Sequence, residues 1–249
     1  MIKHSLVITT AMMITLGALS AFADGNTVGG VGGADDACGG LMATDGCMAF
    51  QDPSSAFTQS GNNNVANIEQ VGSNNAVYGQ QLNGNNTMNV SQNGNNDVAS
   101  VLQTGSSVAN VTQLGGGNLA NVTEASYNND SVIQTGNNNQ ASILQTAQGT
   151  GLMMSGVNTA DITQNGDNNS ASITQNSYIS LQNEASIAQN GSSNTANIDQ
   201  NDSWGAWQNN ATVSQNGTSN NASVIQGGDF NTASLAQNGT NNNLSVHQH

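Results

Sequence analysis

One residue returns at a nearly fixed interval through about four-fifths of the chain. Glutamine stands at Gln59, Gln70, Gln81, Gln92, Gln103, Gln113, Gln134, Gln145, Gln164, Gln175, Gln189, Gln200, Gln215, Gln226, Gln237 and Gln248, mostly eleven residues apart. Glu124 fills one gap. The interval from 145 to 164 has room for a degenerate unit, "QGTGLMM", ending at Met154, and counting it gives 18 units. Such a period constrains the fold more than any composition figure. Only a repeat architecture uses the same positions again and again.

Counting backwards from each Gln gives the geometry of a unit. Two residues back the position is apolar in 17 of 18 units, Gly79 being the exception, and four back it is Ala in 12 of 18. Six back it is Asn in 14 of 18: Asn64, Asn75, Asn86, Asn118, Asn128, Asn139, Asn158, Asn169, Asn183, Asn194, Asn209, Asn220, Asn231 and Asn242. The informative positions are spaced by two, which is a strand with one buried face. Intervening residues such as Ser170, Ser172 and Thr174 point outward. Two residues after the Gln stands Gly in many units, as at Gly61, Gly94, Gly166 and Gly239. Gly and Asn tolerate positive φ, so each unit is a strand of about seven residues and a tight turn.

Eleven residues are too few for one coil of a wide helix, and a lone hairpin leaves half its ladder unpaired. Stacking strand–turn–strand units of about 22 residues makes two parallel sheets around a thin core. The predicted fold is therefore all-β: a β-solenoid of about nine two-stranded coils, roughly 43 Å long at ~4.8 Å per coil. With the Met154 unit included, the short intervals fall mainly on one edge of the stack and the long ones, 175–189 and 200–215, on the other. In-register stacking sets Gln above Gln and Asn above Asn, so side-chain amides donate and accept along the axis. Three inward positions break the rule: Asp97 in an Asn slot, Glu124 in a Gln slot and Asp130 in an Ala slot. Inward charges are a device against uncontrolled strand pairing, and these are candidate gatekeepers that slow stacking near neutral pH. A slipped register that turns them outward is the alternative. The last unit, "NGTNNNLSVHQH", carries the same ladders as the others and no cap, so a head-to-tail contact would be heterologous and non-closing.

The rest of the chain is organised around this array. Residues 1–23 read as a secretory signal: Lys3, an apolar stretch "LVITTAMMITLGAL", and "AFA" before Asp24. Residues 24–52 are Gly- and Asp-rich, show neither helix nor strand period, and read as a flexible leader. Pro53 is the only proline, and residues 53–249 form the repeat domain. Cys38 and Cys47 are candidates for a local disulfide in an oxidising compartment, free thiols being the alternative. Only 6% of residues are charged, and Lys3 is the only Lys or Arg. A chain with no cations after residue 23 offers nothing to nucleic-acid phosphates. Low charge and many Asn, Gln, Ser and Gly otherwise suggest a disordered tract, which the strict period argues against.

The motif resembles the curlin repeat of curli amyloid subunits, secreted fibres of bacterial biofilm matrices. It stands here as "QSGNNNVANIEQ", "QTGNNNQASILQ", "QNGSSNTANIDQ" and "QGGDFNTASLAQ". The resemblance covers residues 53–249. It implies a structural subunit that polymerises with copies of itself and serves surface adhesion and cell aggregation. It also implies an outer-membrane secretion channel, a periplasmic chaperone, a nucleator subunit, and no insertion into the membrane. The leader resembles the family's secretion segment but carries two cysteines. The tail "VHQH", with no Lys or Arg in the last repeat, is more like the major subunit than the nucleator, although the repeats outnumber the five associated with that subunit.

Other functions are less well supplied. The two His beyond the signal, His247 and His249, stand in the last three positions, and no catalytic constellation, cofactor motif or metal-ligand set is present in the sequence. An ice-binding solenoid would need a regular outward Thr array, whereas the outward residues are mixed. An adhesin would use Tyr178, Trp204 and Trp207, which fall in the two long turns and should gather on one edge as a contact patch. Packing on the solenoid corner is the alternative for these rings.

Overall fold

The computed structural model describes residues 27–31, 56–125, 127–147, 157–177, 182–201 and 208–249. These form eighteen strands: β1 (Thr27–Val31), β2 (Ala56–Ser60), β3 (Val65–Ser73), β4 (Ala76–Leu82), β5 (Thr87–Asn95), β6 (Val98–Thr104), β7 (Val108–Gly116), β8 (Leu119–Ala125), β9 (Asn129–Asn137), β10 (Gln140–Ala147), β11 (Thr159–Asn165), β12 (Ser170–Ser177), β13 (Glu184–Ser192), β14 (Thr195–Asn201), β15 (Asn210–Thr218), β16 (Asn221–Gly227), β17 (Thr232–Thr240) and β18 (Asn243–Gln248). Odd-numbered strands make one nine-stranded sheet, called A, and even-numbered strands make another, called B. All pairing is parallel and between strands two apart in sequence. This is the expected β-solenoid.

The period-2 pattern builds the core as predicted. Ala and Val or Ile alternate with outward polar residues, so that Ala160, Ile162 and Gln164 are buried while Thr159, Asp161 and Thr163 are not. The registers stack like on like, with Ala185 on Ala211, Ile187 on Val213 and Gln189 on Gln215. The Gly79 exception has a local cause. The Phe57 ring lies one coil away, and a Cβ at Gly79 would come within 2.3 Å of it. The missing side chain is replaced by the neighbour's ring.

Three expectations are corrected. First, the two sheets have no place for a strand unit ending at Met154. β9 pairs directly with β11 and β10 with β12, which leaves no rung between them in either sheet; Met154 itself lies outside the described residues. A unit there would have needed Ala and Asn in its slots, and Thr150 and Gln148 stand there instead.

Second, removing that unit changes the edge assignment. The short intervals 103–113 and 124–134 and the long ones 145–164, 175–189 and 200–215 all join a strand of sheet B to the next strand of sheet A. The opposite edge, from A to B, keeps a spacing of eleven in every coil from Gln70–Gln81 to Gln237–Gln248.

Third, the leader is not free of strand. β1 pairs with β3, from Thr27 on Val65 to Val31 on Glu69. Backbone pairing at a sheet edge needs no side-chain period, so no pattern in residues 27–31 announces it. The signal segment 1–23, Cys38, Cys47, Tyr178, Trp204 and Trp207 lie outside the described residues.

Candidate functional site: the stacked ladders and their ends

A typical Gln does two jobs. Its Nε2 donates to the Oε1 of the Gln one coil further on, as in Gln59 to Gln81 at 2.7 Å, Gln113 to Gln134 at 2.9 Å and Gln200 to Gln226 at 2.8 Å. The same Nε2 also donates across the core, to the carbonyl of the residue opening a strand of the other sheet. Gln81 reaches Val65, Gln113 reaches Val98 and Gln226 reaches Asn210, at 3.0 Å in each case. Where both bonds form, both amide hydrogens are used and the Gln ties the two sheets together as well as stacking; Gln59, Gln70 and Gln145 make only the stacking bond. A buried amide left unpaired would cost ~1–3 kcal/mol, so the use of this group explains why every described rung except Glu124 is Gln.

The Asn column works differently from the Gln column, which corrects the expectation that the two are alike. Its Oδ1 accepts the backbone N–H of the matching residue one coil on: Asn139 from Asn169 at 3.0 Å, Asn194 from Asn220 at 3.0 Å. Its Nδ2 donates to turn carbonyls, as Asn139 does to Gly166 at 2.7 Å and Asn220 to Gly239 at 2.9 Å. The column is a turn clamp. Direct amide-to-amide contacts occur in only some rungs, Asn86 to Asn64 at 3.0 Å among them.

A third column was missed: Gly72, Gly94, Gly115, Gly136, Gly166, Gly191, Gly217 and Gly239, two residues past each Gln of sheet A. Most adopt φ between +113° and +126°. A Cβ at Gly166 would stand 2.0 Å from the Gly191 carbonyl oxygen, and one at Gly94 would stand 1.6 Å from that of Gly115. The A-to-B edge is thus a seam of stacked backbone into which no side chain fits. Sorting the units by parity would have revealed it. Gly fills that position after every Gln of sheet A, but after the rungs of sheet B only at Gly61, Gly105 and Gly228.

The three inward acids are all buried. Asp97 Oδ1 accepts the Asn118 N–H at 2.9 Å, as an Asn would, but its Oδ2 has no donor. Burial raises its pKa, partly offset by that N–H. Glu124 and Asp130 form one site. Glu124 Oε2 accepts from Gln103 at 2.9 Å, while Glu124 Oε1, both Asp130 oxygens and the Gln145 Oε1 lack donors. The Gln ladder of sheet B breaks here, because Glu124 has no N–H to hand on to Gln145. Burial pushes the Glu124 carboxyl up to about 7, against the Gln103 hydrogen bond and the Asp130 contact. Burial, then the neighbouring Glu124 charge, raise Asp130 well above the usual carboxylate range; the Ala160 N–H acts the other way. With both ionised, neither can donate to the other. One shared proton turns the contact into a hydrogen bond.

The two ends of the stack are complementary. At one end the buried Gln59 Oε1 and Gln70 Oε1 accept nothing. At the other, Gln237 and Gln248 donate only across the core, to Asn221 at 2.8 Å and Thr232 at 3.1 Å, with no rung beyond them. Phe57 and Val246, at opposite ends, are the two half-covered members of the hydrophobic core.

No curated protein matches the chain. The family model described as the curlin associated repeat matches it at two places, residues 158–177 and 217–249, which are β11–β12 and the last turns of the stack. That match and the β-solenoid together fit a curli-like structural subunit.

Proposed function

We propose that this chain is a secreted structural subunit, more like the major curli subunit than the nucleator, that stacks head to tail into amyloid fibres of a bacterial biofilm matrix and serves adhesion and cell aggregation. The observation that carries this is the pair of complementary ends. Each sheet stops in an unpaired strand, with orphan buried acceptors at one end and unused donors of the same ladder at the other. Heterologous contacts that do not close give fibres. A secretion channel, a chaperone and a nucleator are the partners that such a subunit would need on its way to the surface, by resemblance to curli systems.

The test is to purify residues 24–249 and follow thioflavin fluorescence and electron micrographs with time. Concentration-dependent, seedable fibres with a ~4.8 Å meridional reflection are expected. A permanently soluble monomer would overturn the reading.

A further inference from the structure

Among the described residues, the repeat strands are odd in number. β2 to β18 make seventeen, nine in sheet B and eight in sheet A. A stack of identical copies built from them alone would leave sheet A one strand short at every joint, opening a gap of one rung beside a complete sheet B. Unpaired backbone groups inside such a joint would each carry the cost of a lost hydrogen bond. β1 occupies that missing place. It lies on β3 in parallel register, outside the repeat array, and brings sheet A to nine strands.

We infer that Thr27–Val31 is a working strand of the joint between copies. In that joint β18 of one copy lies on β2 of the next, and β17 lies on β1. In sheet B the ladder runs through unbroken, with Gln248 donating to the Gln59 Oε1 and Val246 covering Phe57. In sheet A the backbone ladder continues through β1, but the amide rung is skipped. β1 contains no Gln, and its pairing with β3 stops at Glu69, one residue short of Gln70, whose Oε1 stays without a donor. Thr27–Val31 is therefore part of the fibre, and the joint is stitched by side-chain amides on one sheet only. The inference rests on the fibre reading above.

Register columns supply the test. Gly29 shares a column with Asn67 and, through β5 to β15, with Ser234. Thr58 likewise shares one with Gln80 and, through β6 to β16, with His247. Within one molecule each pair is separated by eight strand spacings, about 38 Å, which no disulfide spans. Across the joint each pair is adjacent, about 4.8 Å apart.

Full-length mature chain with Cys38→Ser and Cys47→Ser is given either Gly29→Cys with Ser234→Cys or Thr58→Cys with His247→Cys. It is fibrillised under reductant and then oxidised. Covalent oligomers from both pairs, in fibres and not in monomer, are expected. Cross-linking through 58 and 247 without 29 and 234, or fibres without either cross-link, overturns the joint while leaving the fibre reading intact. A wild-type chain that forms no fibres overturns both.

A second variant guards against a cysteine pair that disturbs the strands. Gly29→Pro with Gly30→Pro removes consecutive N–H donors from β1 and leaves every repeat untouched. Sustained elongation from wild-type seeds is expected to fall at least tenfold. Elongation that is unchanged, or faster because β1 is merely a cap, overturns the proposal.

Discussion

At the scale of single residues, the two kinds of turn glycine differ in what they do. Gly166 holds φ +119° with the next coil's carbonyl oxygen 2.0 Å from where a Cβ would sit. Gly228 holds φ +84°, but the nearest atom to its Cβ position is 3.5 Å away. Backbone strain acts at both, whereas a clash with rigid backbone acts only at the first. Gly166→Ala is expected to cost about 2–4 kcal/mol, and Gly228→Ala about 1–2 kcal/mol. The shift of the urea midpoint of freshly purified protein measures both, and equal shifts would remove the distinction between a glycine packed against the next coil's backbone and one that is not. The sequence showed that Gly and Asn in the turns would take positive φ, and Asn63, Asn138 and Asn241 do so. It did not show which glycines are held by contact, because contact lies between residues 21 or more apart and leaves no trace inside one repeat.

Elements differ in the same way. The core strands were legible because burial imposes a period of two that a single unit displays. The connections were not, because their tolerance depends on which edge they lie on, and one misassigned unit at Met154 inverted the parity of everything after it. With β9 on β11 the pattern becomes simple: the Gly seam fixes the A-to-B turn at one length, and the B-to-A turn, with fewer stacked backbone contacts, varies. This predicts an asymmetry in insertion tolerance. A Gly-Ser pair inserted after Gly105, on the open edge, is expected to change stability by less than about 1 kcal/mol, since lengthening a loop costs little entropy. The same pair inserted after Asp167, on the seam, would separate Asn169 from the Gly191 carbonyl it clamps at 2.8 Å and break the stacked backbone on both sides. A loss of several hydrogen bonds there, each worth about 1 kcal/mol, should appear as a lower melting midpoint by circular dichroism. Leader strand β1 was illegible for a different reason: "TVGGV" lacks the repeat motif, and backbone pairing at a sheet edge requires none.

For the whole molecule the buried acids decide how stability depends on pH. Asp97, Glu124 and Asp130 all have carboxyls raised by burial, so the folded chain binds protons that the unfolded chain has already released. Stability must then fall as pH rises from the ordinary carboxylate range, near 4.5, to about 7, the folded value at Glu124. For Glu124 alone this amounts to about 3 kcal/mol at neutral pH. Fibre formation adds a second pH effect, since the chain beyond residue 23 carries fifteen acids and no Lys or Arg, and less net charge at low pH also favours association. The two causes separate on substitution. Glu124→Gln restores the missing donor to Gln145, and Asp130→Ala restores the small apolar residue that stacks above and below it, Ala109 and Ala160. The surface charge is left in place. Wild-type lag times are expected to shorten severalfold from pH 8 to pH 5, and the double variant to nucleate quickly at both, keeping only the part due to net charge. Lag times that respond to pH equally in both proteins would assign the whole effect to the surface and strip the buried pair of any gatekeeping role. If the double variant is the faster at pH 8, the break in the Gln ladder is what makes the stack wait for a proton before it closes.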